Sequence, residues 1–288
     1  MTWLAAFAAL SVALTGAPST YADAAFNAPL ENGLRAFYQS DFPNARADFE
    51  AALTVAPDNT LAIAFLNATA AQTPGDLDTL IASEENQLPG KPHDYALQVR
   101  LGFSYLFAEA TEGNRDAEAR EAFDAALAIE PNAGGAHVGL GILDVNDRSP
   151  NRAKVEFLAA LAGDPTDVLA RENLALIYQV DLKDPQRALS YAIEIPNVVP
   201  NYADIDFHIA SMFDDLHQWP AAIDYATRGL ELDVSHVGEA GQHGYTLLAR
   251  IYTEEKRPDD ARRVLRASIS SGVDVQYAQT LLAKLPHE

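Results

Sequence analysis

The densest group of side chains that could do chemistry lies between residues 208 and 217 and consists of His208, Asp214, Asp215 and His217. On a helix, His208 and Asp215 would share one face, because seven residues make about two turns. Imidazole and carboxylate groups bind metals and transfer protons. A metal site needs three or four convergent ligands, however, and the wall of a polar groove accounts for the same residues. An enzyme, or a receptor for a metal or small ligand, with a site near His208 and Asp215 is therefore the alternative function.

Other stretches match chemical motifs only in part. Gly139 and Gly141 form a GxG without a third glycine, and we interpret them as helix-packing glycines. The segment 144–148 begins like a calcium loop, but Arg148 occupies a ligand position and no glycine follows. The sequence contains no P-loop, GxSxG or HExxH motif. We therefore expect no enzymatic activity and no cofactor.

Composition excludes further classes of function. The 288 residues include 41 Asp and Glu against 20 Lys and Arg, which gives a net charge of -21. This charge repels phosphate backbones and anionic headgroups, so nucleic acid and membrane surfaces are not expected partners. The sequence has 0 cysteines, which excludes disulfides, thiolate metal sites and a cysteine nucleophile. A hydrophobic content of 48% with 21% charged residues is typical of a globular protein.

The N-terminus has features of an export signal. The run from Leu4 to Ala17 is apolar and spans 14 residues, fewer than the roughly 20 that a transmembrane helix needs. The small-x-small triplet Ala22-Asp23-Ala24 then fits a signal-peptidase site. No Lys or Arg precedes the run, and the alternatives are a first buried helix or a mis-assigned start of the sequence. We expect residues 1–24 to be a signal peptide and the mature protein to be exported, to a periplasmic or extracellular location.

The rest of the chain repeats with a period near 34 residues. Pro131, Pro165 and Pro200 are separated by 34 and 35 residues, and a second series, Pro150, Pro185 and Pro220, by 35 and 35. An alanine, a phenylalanine and a second alanine precede three of the prolines by twelve, eight and five residues. These triplets are Ala45, Phe49 and Ala52 before Pro57; Ala119, Phe123 and Ala126 before Pro131; and Ala153, Phe157 and Ala160 before Pro165.

This pattern resembles the tetratricopeptide repeat (TPR) family from about residue 26 to the C-terminus. The resemblance implies an all-α fold: a right-handed superhelical solenoid of antiparallel helix pairs, with a last helix from Asp274 to Leu285 as a C-terminal cap. We assign residues 25–288 to this repeat domain. Residues 60–89 lack the alanine and aromatic positions, and the sequence LPGKP follows at 88–92. This region is either a drifted repeat in a continuous solenoid or a hinge, with a break near residues 87–93.

In the resembling family, the first helix of each pair lines a concave groove. The resemblance places nine candidate partner-binding residues there: Phe37, Tyr38, Arg100, Phe103, Ile142, Asn146, Asn173, His208 and Arg250. Further groove positions are Leu34, Val138, Val145, Glu172, Leu176, Gln179, Ser211, Asp215, His243 and Thr246. The first half of this groove is mostly apolar and the second half is polar. We expect the rings of Phe37 and Phe103 to be largely free of the core.

The resulting hypothesis is a non-catalytic scaffold that binds a protein or peptide in the concave groove, possible roles being cell-envelope assembly or secretion. Some family members clamp the terminal carboxylate of a peptide with a row of Lys and Arg. This chain lacks that row, so capture of a peptide C-terminus is not expected. An apolar and aromatic strip would supply affinity, while polar side chains would fix the register of the ligand.

Overall fold

The computed structural model describes residue 21, residues 23–112 and residues 115–286, with the backbone alone at 109–112. Regular structure in these ranges is helical, without a strand, so the predicted all-α fold is confirmed. The apolar run at 4–17 and Ala22 of the predicted cleavage site lie outside the described residues. None of the described helices is long and apolar enough to cross a bilayer.

The helices follow one another along the chain with short connections. In order they are α1 (Ala24–Tyr38), α2 (Phe42–Val55), α3 (Thr60–Ala70), α4 (Asp76–Gln87), α5 (Tyr95–Glu112), α6 (Asp116–Ile129), α7 (Gly134–Asn146), α8 (Pro150–Gly163), α9 (Val168–Leu176), α10 (Pro185–Ala192), α11 (Ile195–Val198), α12 (Ala203–Asp215), α13 (Trp219–Leu232), α14 (Glu239–Glu254), α15 (Pro258–Ser271) and α16 (Val275–Leu282). A 3₁₀ turn at Leu88–Gly90 precedes α5, and a π-helical turn at Ile177–Asp181 extends α9.

Six helix pairs build the solenoid: α1 with α2, α5 with α6, α7 with α8, α9 with α10, α12 with α13, and α14 with α15. Proline occupies the first or second position of the second helix in five of them, and three of these prolines are Pro150, Pro185 and Pro220 of the second series. Proline is tolerated there because the missing N–H would have no partner within the helix. The predicted cap is also present, since α16 packs on α15 and buries Ala278.

Small residues on the first helix face phenylalanines on the second. A Cβ added to Gly141 would lie 2.6 Å from Cε1 of Phe157, and Phe157 is fully buried. Gly33 and Phe49 have the same relation at 2.7 Å. The glycines are therefore required for the close approach of the paired helices, since any larger side chain would collide with the ring.

Helix α3 departs from the pairing pattern and is buried on all sides. It has the register of a first helix, yet its main neighbour is the preceding α2 rather than α4. It also contacts α1, α5 and α9, which are first helices of three pairs, so α3 lies on the inner side of the solenoid. Its sequence TLAIAFLNATA is apolar around the whole circumference, as a helix without a solvent face must be.

Contacts between α1 or α3 and distant repeats close the solenoid on itself. The Tyr38 hydroxyl donates to Asp204 Oδ2 at 3.1 Å, across 166 residues of sequence. The backbone N–H of Ser235 donates to the carbonyl of Tyr38 at 3.1 Å. On α3, Thr60 Oγ1 donates to Asp167 Oδ2 at 2.9 Å. The two ends of the helical arc are therefore joined through its inner face.

The predicted break near residues 87–93 coincides with the 3₁₀ turn and the residues before α5. One core of buried side chains extends on both sides of this segment, from Tyr21 to Ala240. It includes Leu77, Leu80 and Ile81 of α4 together with Val99 and Leu101 of α5.

Candidate functional site

The inner face divides into a covered zone and an open strip. In the covered zone, Phe37, Tyr38 and Phe103 are exposed by only 5%, 1% and 1%. The prediction that the rings of Phe37 and Phe103 are free of the core is wrong. The physical reason is ring packing: Phe65 of α3 stands edge-on to Phe37, with the centroids 5.1 Å apart, and Phe123 of α6 stands edge-on to Phe103 at 5.5 Å.

Arg100 is committed to a buried carboxylate rather than to a groove. Its Nη2 lies 3.2 Å from Glu84 Oε1, and Ser104 Oγ donates to Glu84 Oε2 at 2.7 Å. Burial raises the pKa of Glu84, against the opposing effects of Ser104 and Arg100. Arg100 also lines a cleft of about 260 Å³, whose wall includes Leu53, Lys91 and Leu97. The guanidinium therefore compensates a buried charge between α4 and α5.

His208 is held between two glutamates. Its Nδ1 lies 2.8 Å from Glu172 Oε1, and its Nε2 lies 2.9 Å from Glu239 Oε2. Burial alone would lower the pKa of His208, but the hydrogen bonds and charges of the two glutamates raise it to about 10. The ring is therefore an imidazolium at neutral pH, with both nitrogens donating. It has no lone pair for a metal and cannot act as a general base.

The remaining members of the histidine–aspartate cluster do not converge with His208. Asp214 binds Arg250, and Asp215 accepts from Gln179 Nε2 at 2.6 Å. Within the described part of the chain, no group of three or more His, Cys, Asp or Glu side chains has an arrangement that could hold a metal ion.

A seam of buried carboxylates joins the N-terminal helices to the distant repeats. Asp204 accepts from the Tyr38 hydroxyl and, through Oδ1, from the N–H of Ala240 at 3.1 Å. Asp167 accepts from Thr60 and from the N–H of Ala170 at 2.7 Å. Burial raises the pKa of both aspartates to about 6. Neither aspartate is marked by a local sequence pattern, because their surroundings come from residues more than a hundred positions away or from a neighbouring repeat.

The open strip runs along the C-terminal ends of the first helices from α7 to α14. We define it by nine residues that are half-buried or exposed: Ile142, Val145, Asn146, Leu176, Gln179, Val180, Ser211, Asp215 and Arg250. Val145 and Val180 are 41% and 56% exposed, which is high for valine. Of the nine predicted contact residues, the strip contains Ile142, Asn146 and Arg250. Asn173 is half-buried nearby, and its Nδ2 donates to the carbonyl of Leu169 at 2.9 Å.

The far end of the strip is polar and acidic. Gln179 Nε2 bridges to α12 by donating to Ser211 Oγ at 3.0 Å and to Asp215. Arg250 reaches from α14 to Asp214, a residue with only 3% exposure. Burial raises the pKa of Asp214, and the negative charges of Glu254 and Asp215 add to this increase while Arg250 opposes it. Three carboxylates therefore lie near one guanidinium at this end.

Comparison with known proteins assigns the fold. No protein-family model matches the chain, and no curated protein matches it. Among solved structures, the chain is similar to PilW, described as a widely conserved type IV pilus biogenesis factor: the TM-score is 0.58 at 19% identity, covering 75% of this chain and 94% of PilW. It is also similar to YrrB, described as a TPR protein with an unusual peptide-binding site, with a TM-score of 0.52 at 17% identity, covering 68% of this chain and 96% of YrrB.

These similarities, together with the helix pairs described above, define an all-α solenoid with the fold of the tetratricopeptide repeat proteins. The resemblance drawn from the prolines, alanines and phenylalanines is thereby confirmed at the level of the fold.

Proposed function

We propose that this protein is a non-catalytic scaffold that binds a protein or peptide partner along the open strip of its inner face. The observation that carries the proposal is the exposure of Val145 and Val180 beside a polar end at Gln179 and Asp215, in a solenoid whose aromatic inner positions at Phe37, Tyr38 and Phe103 are covered by the chain itself. Exposed apolar side chains rimmed by polar groups are typical of interaction sites. The fold shared with YrrB, which has a peptide-binding site, supports the same class of partner.

The proposed contact set differs from the sequence-based one. Ile142, Asn146 and Arg250 stay in it, and Val145, Gln179 and Val180 take the place of the covered aromatic residues. Phe37, Tyr38 and Phe103 support the core, while Arg100 and His208 neutralise buried glutamates. Phe37, Tyr38, Phe103 and His208 are buried, so a partner could reach these four side chains only after the surrounding residues had moved.

We further propose that the mature protein is exported and acts in assembly or secretion at the cell envelope. The apolar run at 4–17 and the triplet Ala22-Asp23-Ala24 support export. The fold shared with PilW supports a role in envelope assembly. N-terminal sequencing of the protein from its native host tests the first part: a chain that begins within residues 23–25 supports export, and a chain that begins at Met1 or Thr2 contradicts it.

Site-specific photo-cross-linking in the native host tests the binding proposal. A cross-linking amino acid replaces Val180 on the strip or Val155 on the outer helix α8, since both side chains are exposed, by 56% and 61%. We expect a discrete protein adduct from position 180 and none from position 155. Adducts at both positions, or at position 155 alone, would contradict binding along the strip.

A further inference from the structure

The charge along the strip is asymmetric, and it points to the chemistry of the partner. The C-terminal halves of helices α12 and α14 carry three acidic residues and a single Arg or Lys, which is Arg250. The acidic residues are Asp214, Asp215 and Glu254. Arg250 is already engaged by the buried Asp214. The net charge of the polar end of the strip is therefore negative, even when the positive charge of Arg250 is included.

Two of these carboxylates have no cationic partner in the described part of the chain. Asp215 is exposed and accepts one hydrogen bond, from the neutral amide of Gln179. Glu254 is exposed at the C-terminal end of α14 and forms no ion pair with any described residue. In addition, Asp214 Oδ1 is buried without a hydrogen-bond partner. Acceptors are thus in excess at this end, and a ligand that donates hydrogen bonds would satisfy them.

The other end of the strip is apolar. Ile142 and Val145 of α7 are followed by Leu176 and Val180 of the α9 segment. Asp144, between the first two, is only 5% exposed and pairs with Arg120 and Arg152, and Asp181 follows Val180. Neighbouring helices are about 10 Å apart, so the strip extends over about 30 Å from α7 to α14. An extended peptide of about nine residues, at about 3.3 Å per residue, covers that length.

We propose that the strip binds a short segment with apolar side chains at one end and arginine or lysine at the other. This inference rests on the proposed scaffold function and specifies the class of partner. The apolar side chains lie against Ile142, Val145 and Val180, while the cationic end donates to the exposed Asp215 and Glu254. Charge complementarity of this kind also orients the segment, because the reversed direction would bring its cations onto the valines and leave the carboxylates without donors.

Synthetic nine-residue peptides test the inference in fluorescence anisotropy with the purified mature chain. The probe has leucine at alternate positions and two arginines at its C-terminal end, and a second probe has the arginines at its N-terminal end. Two controls replace the arginines by glutamates or the leucines by serines. We expect one arginine probe to bind at least about tenfold more tightly than either control.

Matched variants separate the strip from the overall negative charge. The double variant Asp215→Asn/Glu254→Gln removes two charges from the strip, and Asp224→Asn/Glu231→Gln removes two exposed charges from the outer helix α13. Likewise, Val180→Ser alters the strip and Val155→Ser alters the outer helix α8. The strip variants should weaken binding about tenfold and the outer variants less than about twofold.

Three results would overturn the inference: absence of binding by both arginine probes, equal weakening by strip and outer variants, or tighter binding of the glutamate peptide. None of them contradicts the scaffold function, which the cross-linking experiment at Val180 tests separately. If an adduct forms at position 180 while the glutamate peptide binds best, the strip is a binding site for an acidic partner and only the charge class is wrong.

Discussion

The effect of Gly141→Ala on stability should change sign when the ring of Phe157 is removed, because Gly141 and Phe157 pack closely. The change Gly141→Ala is expected to destabilise the native protein but to stabilise the Phe157→Ala variant. In the native structure, an added Cβ at Gly141 would lie 2.6, 2.8 and 2.9 Å from three atoms of the Phe157 ring. The ring is fully buried, so it has no free space into which it could move.

The magnitudes follow from three terms. Overpacking of this kind costs about 1–3 kcal/mol, whereas alanine in a helix interior is favoured over glycine by about 0.5–1 kcal/mol. The change should therefore destabilise the native protein by up to about 2.5 kcal/mol. Removal of a buried phenylalanine ring costs about 3–5 kcal/mol. Once the ring is absent, the added methyl group occupies part of the cavity, and the helix preference of about 0.5–1 kcal/mol remains as a net gain.

Urea denaturation of the four proteins measures both effects. At an m-value of about 2 kcal/mol/M, Gly141→Ala should lower the midpoint of the native protein by up to about 1 M and raise that of Phe157→Ala by about 0.3 M. Asp147→Ala is the control, because Asp147 lies in an exposed turn and should change stability by less than about 0.5 kcal/mol. The packing argument is refuted if Gly141→Ala shifts both backgrounds in the same direction by the same amount.

Three further predictions concern the covered zone and the turns. Burial raises the pKa of Asp167 and Asp204 to about 6, so folding binds protons and the free energy of unfolding should fall as the pH rises from about 4 to 6.5. The urea midpoint should therefore be higher at pH 5 than at pH 7.5. An Asp167→Asn/Asp204→Asn variant that keeps the full difference between the two pH values would contradict this assignment. The double variant Phe37→Ser/Phe103→Ser should lose cooperative thermal unfolding by circular dichroism, because both rings are buried, and a native-like melting curve would mean that the two rings do not belong to the core. Lys183 has a φ of 52°, a left-handed conformation that costs about 1 kcal/mol for a residue with a Cβ. The change Lys183→Gly should therefore raise the urea midpoint, whereas Lys154→Gly inside α8 should lower it.

The repeat architecture could be predicted from the sequence because its determinants recur at a fixed interval. Gly141 and Phe157 are 16 residues apart, as are Gly33 and Phe49, and each glycine meets its own phenylalanine. Prolines such as Pro150 start the second helices where the spacing places them. These contacts lie within one helix pair, so the local pattern contains all the information that specifies them.

The covered zone could not be predicted in this way. It depends on contacts between distant repeats, and the repeat period does not specify which residues of distant repeats meet. Tyr38 and Asp204 are 166 residues apart, and a residue-by-residue comparison of repeats says nothing about whether their side chains meet. One local signal was available. A helix that is apolar on every face is buried on every face, and the segment 60–70 has this composition. Its missing alanine and aromatic positions indicated a drifted repeat, whereas its uniform apolarity indicates a helix that fills the groove.

Filling the inner face changes what the solenoid can offer to a partner. In an open solenoid each repeat contacts only its neighbours, and the curvature can vary. Here the hydrogen bond from Tyr38 to Asp204 and the edge-on contact of Phe65 with Tyr202, at 5.5 Å between centroids, tie the first repeats to distant ones. These contacts oppose changes in curvature, and the distance between α7 and α14 is held with them. A segment that binds the strip therefore meets a preorganised surface, so little affinity is lost in ordering the protein. The same closure removes the deep aromatic half of the groove from any ligand, which leaves the valines and the carboxylates of the strip to select the partner.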